Sequence, residues 1–182
     1  MRSDRREYSG CMDRSGKGRI YLVGFMGSGK SSAGKCLARD LGVRFVDLDE
    51  RIELASGLSV AEIFEREGEG EFRRREAAAL RETESLPAAV IATGGGTLTR
   101  RENRDFIQRT GTAVWLTAPL DVMLDRCRGG ARRPLLSSRE KMALLLEERL
   151  AGYSSAPLRI ETEGLGPQEV AQLIALRLQA TA

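Results

Sequence analysis

An eight-residue segment carries the residue types that bind phosphate groups. Residues 24–31 read GFMGSGKS and fit the pattern G-x-x-x-x-G-K-[ST]. Glycines let such a loop curl until successive backbone N–H groups point inward and surround an anion. In this motif Lys30 reaches the β- and γ-phosphates of a nucleotide, and the hydroxyl of Ser31 ligates Mg²⁺. We therefore expect nucleotide contacts from Gly27, Ser28, Gly29, Lys30, Ser31 and Ser32.

Two aspartates, Asp47 and Asp49, are candidates for the chemistry of phosphoryl transfer. They follow an apolar, β-rich segment, residues 43–46, that we predict to be a strand. Ligands of open parallel sheets collect at the carboxyl ends of the strands, and alternate residues of a strand share a face. Both carboxylates are therefore predicted to face the phosphate loop. One of them can help hold hydrated Mg²⁺ and the other can receive the proton of an attacking hydroxyl, and the pattern alone leaves open which does which.

The composition restricts the group that can act as a general base. The chain contains no histidine, so the base must be a carboxylate, a lysine, a tyrosine or water. The three cysteines, Cys11, Cys36 and Cys127, are scattered without the spacing of a zinc site. Cysteines used in this way fit a reduced, cytoplasmic setting.

Three consecutive glycines follow another apolar segment, residues 88–92, which we predict to be a strand. Residues without a side chain let a ligand approach the backbone closely. Because this turn would lie at the same sheet edge as the phosphate loop, we expect Gly94, Gly95 and Gly96 to contact a ligand.

The elements that position these residues follow from the alternation of apolar patterns. Such alternation is typical of an α/β fold with three layers, in which helices cover both faces of a five-stranded parallel sheet. The β-rich segments that alternate with helical patterns are residues 19–23, 43–46, 88–92, 112–116 and 158–161.

Local signals predict where several helices begin and end. A helix is predicted over residues 50–55, after the two aspartates. Capping boxes are predicted at Ser59 with Glu62 and at Thr99 with Glu102. Glycines 68 and 70 are predicted to break the chain between two helices.

The length of the chain, without repeats, low-complexity segments or an internal linker, predicts a single globular domain over residues 19–182. The charged segment 1–18 is interpreted as a mobile tail or an expression remnant. The net charge is only +3 and the arginines are spread along the chain, so no nucleic-acid partner is expected. No apolar run is long enough to span a bilayer, and we expect a monomer without a membrane partner.

Several short motifs follow one another along the chain: GFMGSGKS at 24–31, DLD at 47–49, FR at 72–73 with Glu76, GGG at 94–96, RPLL at 133–136, and Arg149 with Tyr153. This ordered set resembles the shikimate kinase family from about residue 19 to residue 178. Each motif alone is common, whereas their order and spacing together are specific. The resemblance implies a P-loop kinase fold with a mobile lid at about residues 128–138 and a substrate-binding region at about residues 48–86. It also implies ATP-dependent phosphorylation of the 3-hydroxyl of shikimate, with Mg²⁺.

On the acceptor side, the resemblance assigns a role to several of these residues. Asp49 matches the aspartate that binds the shikimate hydroxyls and is the best candidate base, and Asp47 matches the one close to hydrated Mg²⁺. Arg73 and Arg149 match the arginines that grip the shikimate carboxylate, for which a planar guanidinium is well suited. Gly95 matches a backbone contact to the substrate.

On the nucleotide side, the resemblance assigns roles to two further arginines. Arg133 matches the lid arginine that reaches the phosphates, where a cation stabilises the charge of the transition state. Arg126 falls where a second arginine near the adenine is expected.

Three alternative functions are compatible with a phosphate loop. A kinase of another small polyol acid, such as gluconate, would share the fold, and the FR and GGG motifs argue against it. A nucleotide-dependent switch with guanine specificity typically presents Asn-Lys-x-Asp, and the single asparagine, Asn103, is in no such motif. A catalytically inactive binding module would lack a key residue, yet Lys30, Ser31, Asp49, Arg73, Arg133 and Arg149 are all present.

Overall fold

The computed structural model describes residues 18–128 and 138–181, without the side chains of residues 128 and 181. The predicted tail lies outside the described residues apart from Gly18. The predicted lid lies outside them apart from residues 128 and 138, and Arg133 therefore falls outside them as well.

Five parallel strands form one sheet, as the sequence predicts. The strand order is β2-β3-β1-β4-β5, so β1, which leads into the phosphate loop, is the central strand. Every neighbouring pair is parallel. Each connection must therefore run from the carboxyl end of one strand back to the amino end of the next strand. The strands are β1 (Gly18–Val23), β2 (Arg44–Asp47), β3 (Ala88–Ala92), β4 (Thr112–Thr117) and β5 (Leu158–Glu161).

Helices connect these strands within the described residues, together with two short 3-10 turns at Thr83–Ser85 and Thr97–Thr99. The helices are α1 (Lys30–Leu41), α2 (Leu48–Ser56), α3 (Val60–Glu82), α4 (Arg101–Thr110), α5 (Leu120–Arg128), α6 (Arg139–Tyr153) and α7 (Pro167–Thr181).

Side chains of the central strand alternate between two hydrophobic cores, one on each face of the sheet. Ile20 and Leu22 pack in a core with residues of α1 and α7. Tyr21 and Val23 pack in a second core, with residues of α3, α4, α5 and α6. Side chains of a strand point to opposite faces in turn, so burying both sets requires a helical layer on each side. The predicted three-layer α/β/α architecture is confirmed.

Two details of the predicted elements are wrong in an instructive way. Helix α2 begins at Leu48 rather than at residue 50, because the carboxylate of Asp47 accepts hydrogen bonds from the N–H groups of Asp49 and Glu50 and caps the helix. Asp47 and Asp49 are therefore not alternate residues of one strand.

Helix α4 is preceded by Arg100 as its N-cap, without the predicted capping box, because the hydroxyl of Thr99 donates to the carbonyl of Gly96 instead.

Helix α3 changes direction at Gly68, the first of the two glycines predicted to interrupt it. Gly68 has φ 83° and ψ 170°, an extended conformation with positive φ that is essentially restricted to glycine, whereas Gly70 continues the helix. The capping box of Ser59 and Glu62 at the start of α3 is present as predicted. The second half of α3, after this change of direction, carries Arg73 and Glu76.

Among the described residues, no helix is both long enough and apolar enough to cross a membrane.

Candidate active site

The phosphate loop connects the central strand to the first turn of α1. Gly27 and Gly29 have φ angles of 74° and 94°, which side-chain-bearing residues rarely adopt. A Cβ on Gly27 would also overlap the carbonyl oxygen of Met123. Helix α1 begins at Lys30, directly after the loop, so its partial positive charge is directed at an anion held there.

The ammonium group of Lys30 lies over the phosphate loop itself. Its Nζ donates to the carbonyl oxygens of Gly24 at 2.9 Å and Phe25 at 2.8 Å. The side chain is thus held across the mouth of the loop, within the cleft that the loop lines.

Ser31 and Asp47 form the junction between the phosphate loop and α2. The Ser31 hydroxyl donates to Oδ2 of Asp47 at 2.5 Å, while Oδ1 of Asp47 accepts from the backbone N–H of Asp49 at 3.1 Å. Asp47 therefore fixes the start of α2, and with it Asp49, relative to the phosphate loop.

Arg73 is held by two carboxylates of its own helix. Nη1 donates to Oε2 of Glu76 at 2.9 Å, and Nη2 donates to Oε1 of Glu69 at 3.0 Å. Glu76 is fully buried and also accepts a hydrogen bond of 2.6 Å from the hydroxyl of Thr97. Burial acts to lower the pKa of the Arg73 guanidinium, yet the charge and hydrogen bonds of Glu76 and Glu69 together raise that pKa above its ordinary value.

The glycine turn after β3 brings these charged groups together. A Cβ on Gly96 would overlap the guanidinium of Arg73, and a Cβ on Gly94 would overlap the carboxylate of Glu76 and lie 3.1 Å from Oδ1 of Asp49. None of the three glycines has a positive φ, so the turn needs glycine for space rather than for conformation. The sequence predicted room for a ligand, whereas much of the room is filled by the protein's own side chains.

Arg149 approaches the same turn from α6. Its side chain is largely buried, its Nη1 lies 3.2 Å from the position of a Cβ on Gly95, and its Cζ lies 5.7 Å from the ring centre of Phe25 in the phosphate loop. Tyr153, one turn further along α6, donates its hydroxyl to the carbonyl oxygen of Gly95. Burial raises the pKa of Tyr153 to about 12, so this hydroxyl keeps its proton at neutral pH.

The other end of the cleft is bounded by Arg126 and by Thr162, the residue directly after β5. Nη2 of Arg126 donates to the carbonyl oxygen of Thr162 at 2.7 Å, and Nη1 donates to the Thr162 hydroxyl at 2.9 Å. Nη1 also lies 3.4 Å from the carbonyl oxygen of Gly27. Arg126 thus joins the phosphate loop to the segment that follows β5.

One cleft of about 1190 Å³ connects these groups. Every residue that the sequence analysis assigned to a site lines it, apart from Arg133, which lies outside the described residues. The phosphate loop lies between two ends of the cleft. One end carries Asp49, Arg73 and Arg149, for which the sequence predicts acceptor binding, and is called the acceptor end; the other is bounded by Arg126 and Thr162. The roles assigned to the individual residues remain predictions.

Within the part of the chain that the structure describes, no group of three or more acidic, histidine or cysteine side chains could enclose a metal ion. The oxygen atoms of Ser31 and Asp47 do fit Mg²⁺, which prefers oxygen ligands and usually keeps several waters while binding one or two protein groups and a phosphate. A site of this kind is completed by the nucleotide rather than by the protein.

Sequence reasoning gave no role to three residues that organise this cleft. Glu76 and Thr97 meet beside Arg73, and Thr162 meets Arg126 and the phosphate loop. Glu76 had two signals: its place in a motif of the family resemblance, and its place three residues after Arg73, where the side chains of a helix face each other. Thr97 had none, because its partner Glu76 is distant in sequence.

A five-stranded parallel sheet with a phosphate loop after its central strand, facing a cleft with two largely buried arginines, defines a P-loop kinase of a small molecule. The comparisons with known proteins give the family. The family model described as "Shikimate kinase" matches residues 26–179. The chain belongs to the shikimate kinase family, and is a phosphotransferase with ATP as the phosphate donor.

Individual relatives agree with that assignment. The shikimate kinase of Persephonella marina is 42% identical over 161 residues, covering 88% of this chain and 98% of the relative. The shikimate kinase of Geobacter sulfurreducens is 45% identical over 159 residues, covering 86% and 88%. Among solved structures, shikimate kinase from Acinetobacter baumannii in complex with shikimate is 40% identical, with a TM-score of 0.85 over 89% of this chain and 93% of that one.

Proposed function

We propose that this chain transfers the γ-phosphoryl group of ATP to the 3-hydroxyl of shikimate. The observation that carries the proposal is the convergence of Asp49, Arg73 and Arg149 on one glycine turn beside the phosphate loop. These side chains offer one hydroxyl-binding carboxylate and two guanidinium groups. A small alcohol that bears a carboxylate matches this set of groups, and shikimate is such a molecule.

The two arginines would fix the orientation of the acceptor. Arg73 comes from α3 and Arg149 from α6, so a carboxylate between them would be held from two sides. Phe64 and Phe72 line the same end of the cleft and offer apolar surface to the carbon ring. Holding the acceptor in one orientation removes much of the entropic cost of the reaction.

Asp49 would orient the 3-hydroxyl and accept its proton as the oxygen attacks the γ-phosphorus. Asp49 is fixed relative to the phosphate loop, because Asp47 caps α2 and accepts the hydrogen bond of Ser31. Lys30 would contact the transferring phosphoryl group, where charge develops on its equatorial oxygens. ADP and shikimate 3-phosphate then leave the cleft.

Ser31 and Asp47 would hold Mg²⁺ with the phosphates, Ser31 directly and Asp47 through water. Bound there, Mg²⁺ neutralises part of the phosphate charge. We also propose that residues 19–182 act as one domain, as a monomer in the cytoplasm. The free thiols of Cys36 and Cys127 fit a reducing compartment.

The proposal is tested by measuring ADP release from ATP and Mg²⁺ with shikimate, with gluconate and without an acceptor. Shikimate is expected to give turnover far above both controls, together with a product heavier by one phosphate group in mass spectrometry. Turnover with gluconate and none with shikimate would overturn the proposal in favour of the other small-acid kinase.

Arg73→Ala is expected to raise the KM for shikimate about 100-fold and to leave the KM for ATP within about threefold. The reason is the loss of charge-assisted hydrogen bonds to the carboxylate, which corresponds to about 3 kcal/mol. The change also leaves the buried carboxylate of Glu76 without its cation, so the melting temperature is expected to fall.

Arg73→Lys separates these two effects, because it keeps the charge beside Glu76 but loses the planar fork. It is expected to keep most of the stability and still raise the KM for shikimate at least tenfold. Arg74→Ala is the matched control, since Arg74 points to solvent on the same helix and pairs with Glu71. An unchanged KM for shikimate in folded Arg73→Ala would contradict the carboxylate grip.

A further inference from the structure

Thr162 makes more connections around the phosphate loop than its position after β5 suggests. It is buried, its N–H donates to the carbonyl oxygen of Thr117 at 2.8 Å, and its hydroxyl lies 3.2 Å from the carbonyl oxygens of both Ser28 and Thr117. The same hydroxyl accepts a hydrogen bond from Arg126. Thr162 thus joins β4, α5, the phosphate loop and the segment after β5 at one point.

The hydroxyl of Thr162 has two possible acceptors, the carbonyl oxygens of Ser28 and Thr117, and donation to Ser28 is favoured. A hydroxyl donates a single hydrogen bond and can accept two. The carbonyl oxygen of Thr117 already accepts the N–H of Thr162, whereas Ser28 lies in the phosphate loop, on a different element. We therefore assign the donated bond to the carbonyl oxygen of Ser28, with Arg126 as the donor to the hydroxyl oxygen.

This bond fixes the direction of a peptide group in the phosphate loop. The carbonyl of Ser28 and the N–H of Gly29 belong to the same planar trans peptide and point in opposite directions. Holding the carbonyl toward Thr162 turns the N–H of Gly29 to the other side of the peptide, and Gly29 lines the cleft. The N–H groups of such a loop are its anion-binding groups.

Thr162 also holds Arg126 by two separate atoms. Its hydroxyl oxygen and its carbonyl oxygen accept from the two terminal nitrogens of the guanidinium, which fixes the plane of that group. The carbonyl oxygen of Thr162 lies 3.4 Å from the N–H of Leu165 as well, and Leu165 lines the cleft beside Arg126. One residue therefore orders both the phosphate loop and the arginine at the far end of the cleft.

We propose that Thr162 is a positioning residue for the nucleotide, acting through the Ser28–Gly29 peptide and through Arg126. The inference rests on the proposed function only in taking a nucleoside phosphate as the ligand of the phosphate loop. It predicts that the hydroxyl of Thr162 contributes to nucleotide affinity without contributing to acceptor binding.

The test compares Thr162→Val, which keeps the shape and removes the hydroxyl, with Thr162→Ser, which keeps the hydroxyl. Thr162→Val is expected to raise the Kd of ADP, measured by calorimetry, and the KM for ATP by about tenfold, as for loss of one or two hydrogen bonds. The KM for shikimate and kcat should stay within about threefold. Thr162→Ser should restore the Kd of ADP to within about threefold of the unaltered protein.

Thr110→Val is the matched control for a merely structural effect. Thr110 is also buried, and its hydroxyl forms hydrogen bonds with the hydroxyl of Tyr21 and the carbonyl oxygen of Phe106, away from the cleft. Its loss should lower the melting temperature and leave the Kd of ADP unchanged. Equal ADP affinity in Thr162→Val and the unaltered protein would overturn the proposal, as would a loss that Thr162→Ser does not restore.

A second variant keeps the test decisive if Thr162→Val does not fold. Thr162→Ala also removes the hydroxyl, and the smaller alanine side chain fits the buried position without a steric clash. The proposal predicts the same rise in the Kd of ADP for Thr162→Ala, and an unchanged Kd would overturn the proposal. Because ADP binds without an acceptor, the measurement of ADP affinity tests the role of Thr162 independently of the proposed shikimate kinase activity. ADP binding that depends on Thr162, without turnover of shikimate, would overturn only the proposed function.

Discussion

Asp49→Asn is expected to lower kcat with shikimate by a factor of about 10² to 10⁴, the usual contribution of a general base. The amide has nearly the size of the carboxylate and can still contact a hydroxyl, but it cannot take a proton at neutral pH. The Kd of ADP should stay within about threefold, because the phosphate loop is unchanged. Steady-state kinetics and calorimetry on the same preparation measure both quantities.

The position of Asp49 makes this loss specific to chemistry. Asp49 is half-buried in the first turn of α2, and its Oδ1 lies close to Gly94 at the acceptor end of the cleft. A carboxylate there also stabilises the helix through its dipole, typically by about 0.3–1 kcal/mol. A small fall in melting temperature is thus expected, far too small to explain a large loss of kcat.

Asp105→Asn provides the matched control for this prediction. Asp105 is exposed on α4, pairs with Arg101 at 3.6 Å and does not line the cleft. The same chemical change should therefore leave kcat unaltered. If folded Asp49→Asn turned over shikimate at nearly the normal rate, Asp49 would orient the hydroxyl at most, and water or another group would have to accept the proton.

Much of the fold could be predicted because its signals are local. The five strands are apolar β-rich segments, and the alternation of strand and helix restricts the sheet to a parallel one with helices on both faces. The order of the strands was not predicted. It depends on which apolar faces pack together across the chain, and no local pattern encodes that choice.

The two aspartates show how a correct prediction can rest on a wrong geometry. Both carboxylates line the cleft, as expected from their position at the end of β2. They do so because Asp47 caps a helix that begins at Leu48, not because they alternate along a strand. A short polar residue such as Asp47 can end a strand or cap a helix. Here the hydrogen bonds that its carboxylate accepts from the N–H groups of Asp49 and Glu50 stabilise the helix cap.

The acceptor pocket marks the limit of reasoning from the residues alone. By pattern, Arg149 is one of many charged residues on a helix, and only the family resemblance distinguished it. Its largely buried position beside Gly95 and Phe25 depends on packing between α6, the glycine turn and the phosphate loop. A long-range contact of this kind is also the hydrogen bond from the hydroxyl of Thr97 to the carboxylate of Glu76, because the two residues are far apart in sequence.

Lys30→Met is expected to lower kcat by a factor of about 10³ or more, the loss of several kcal/mol of stabilisation of the transition state. Methionine keeps an apolar stem of similar reach but has no charge for the phosphoryl oxygens. In this structure Nζ contacts the carbonyl oxygens of Gly24 and Phe25, so it already lies at the mouth of the loop. A nucleotide would exchange those neutral partners for charged oxygens, which interact more strongly with an ammonium group.

Lys35→Met distinguishes this effect from a general loss of positive charge on α1. Lys35 is exposed on the same helix, pairs with Glu50 at 3.5 Å and does not line the cleft. Its removal should leave kcat within about twofold. Near-normal turnover in folded Lys30→Met would contradict the role assigned to Lys30. A large loss of kcat with an unchanged melting temperature would show that the ammonium group acts on the transferring phosphoryl group. It would also show that the phosphate loop does not depend on this contact for its stability.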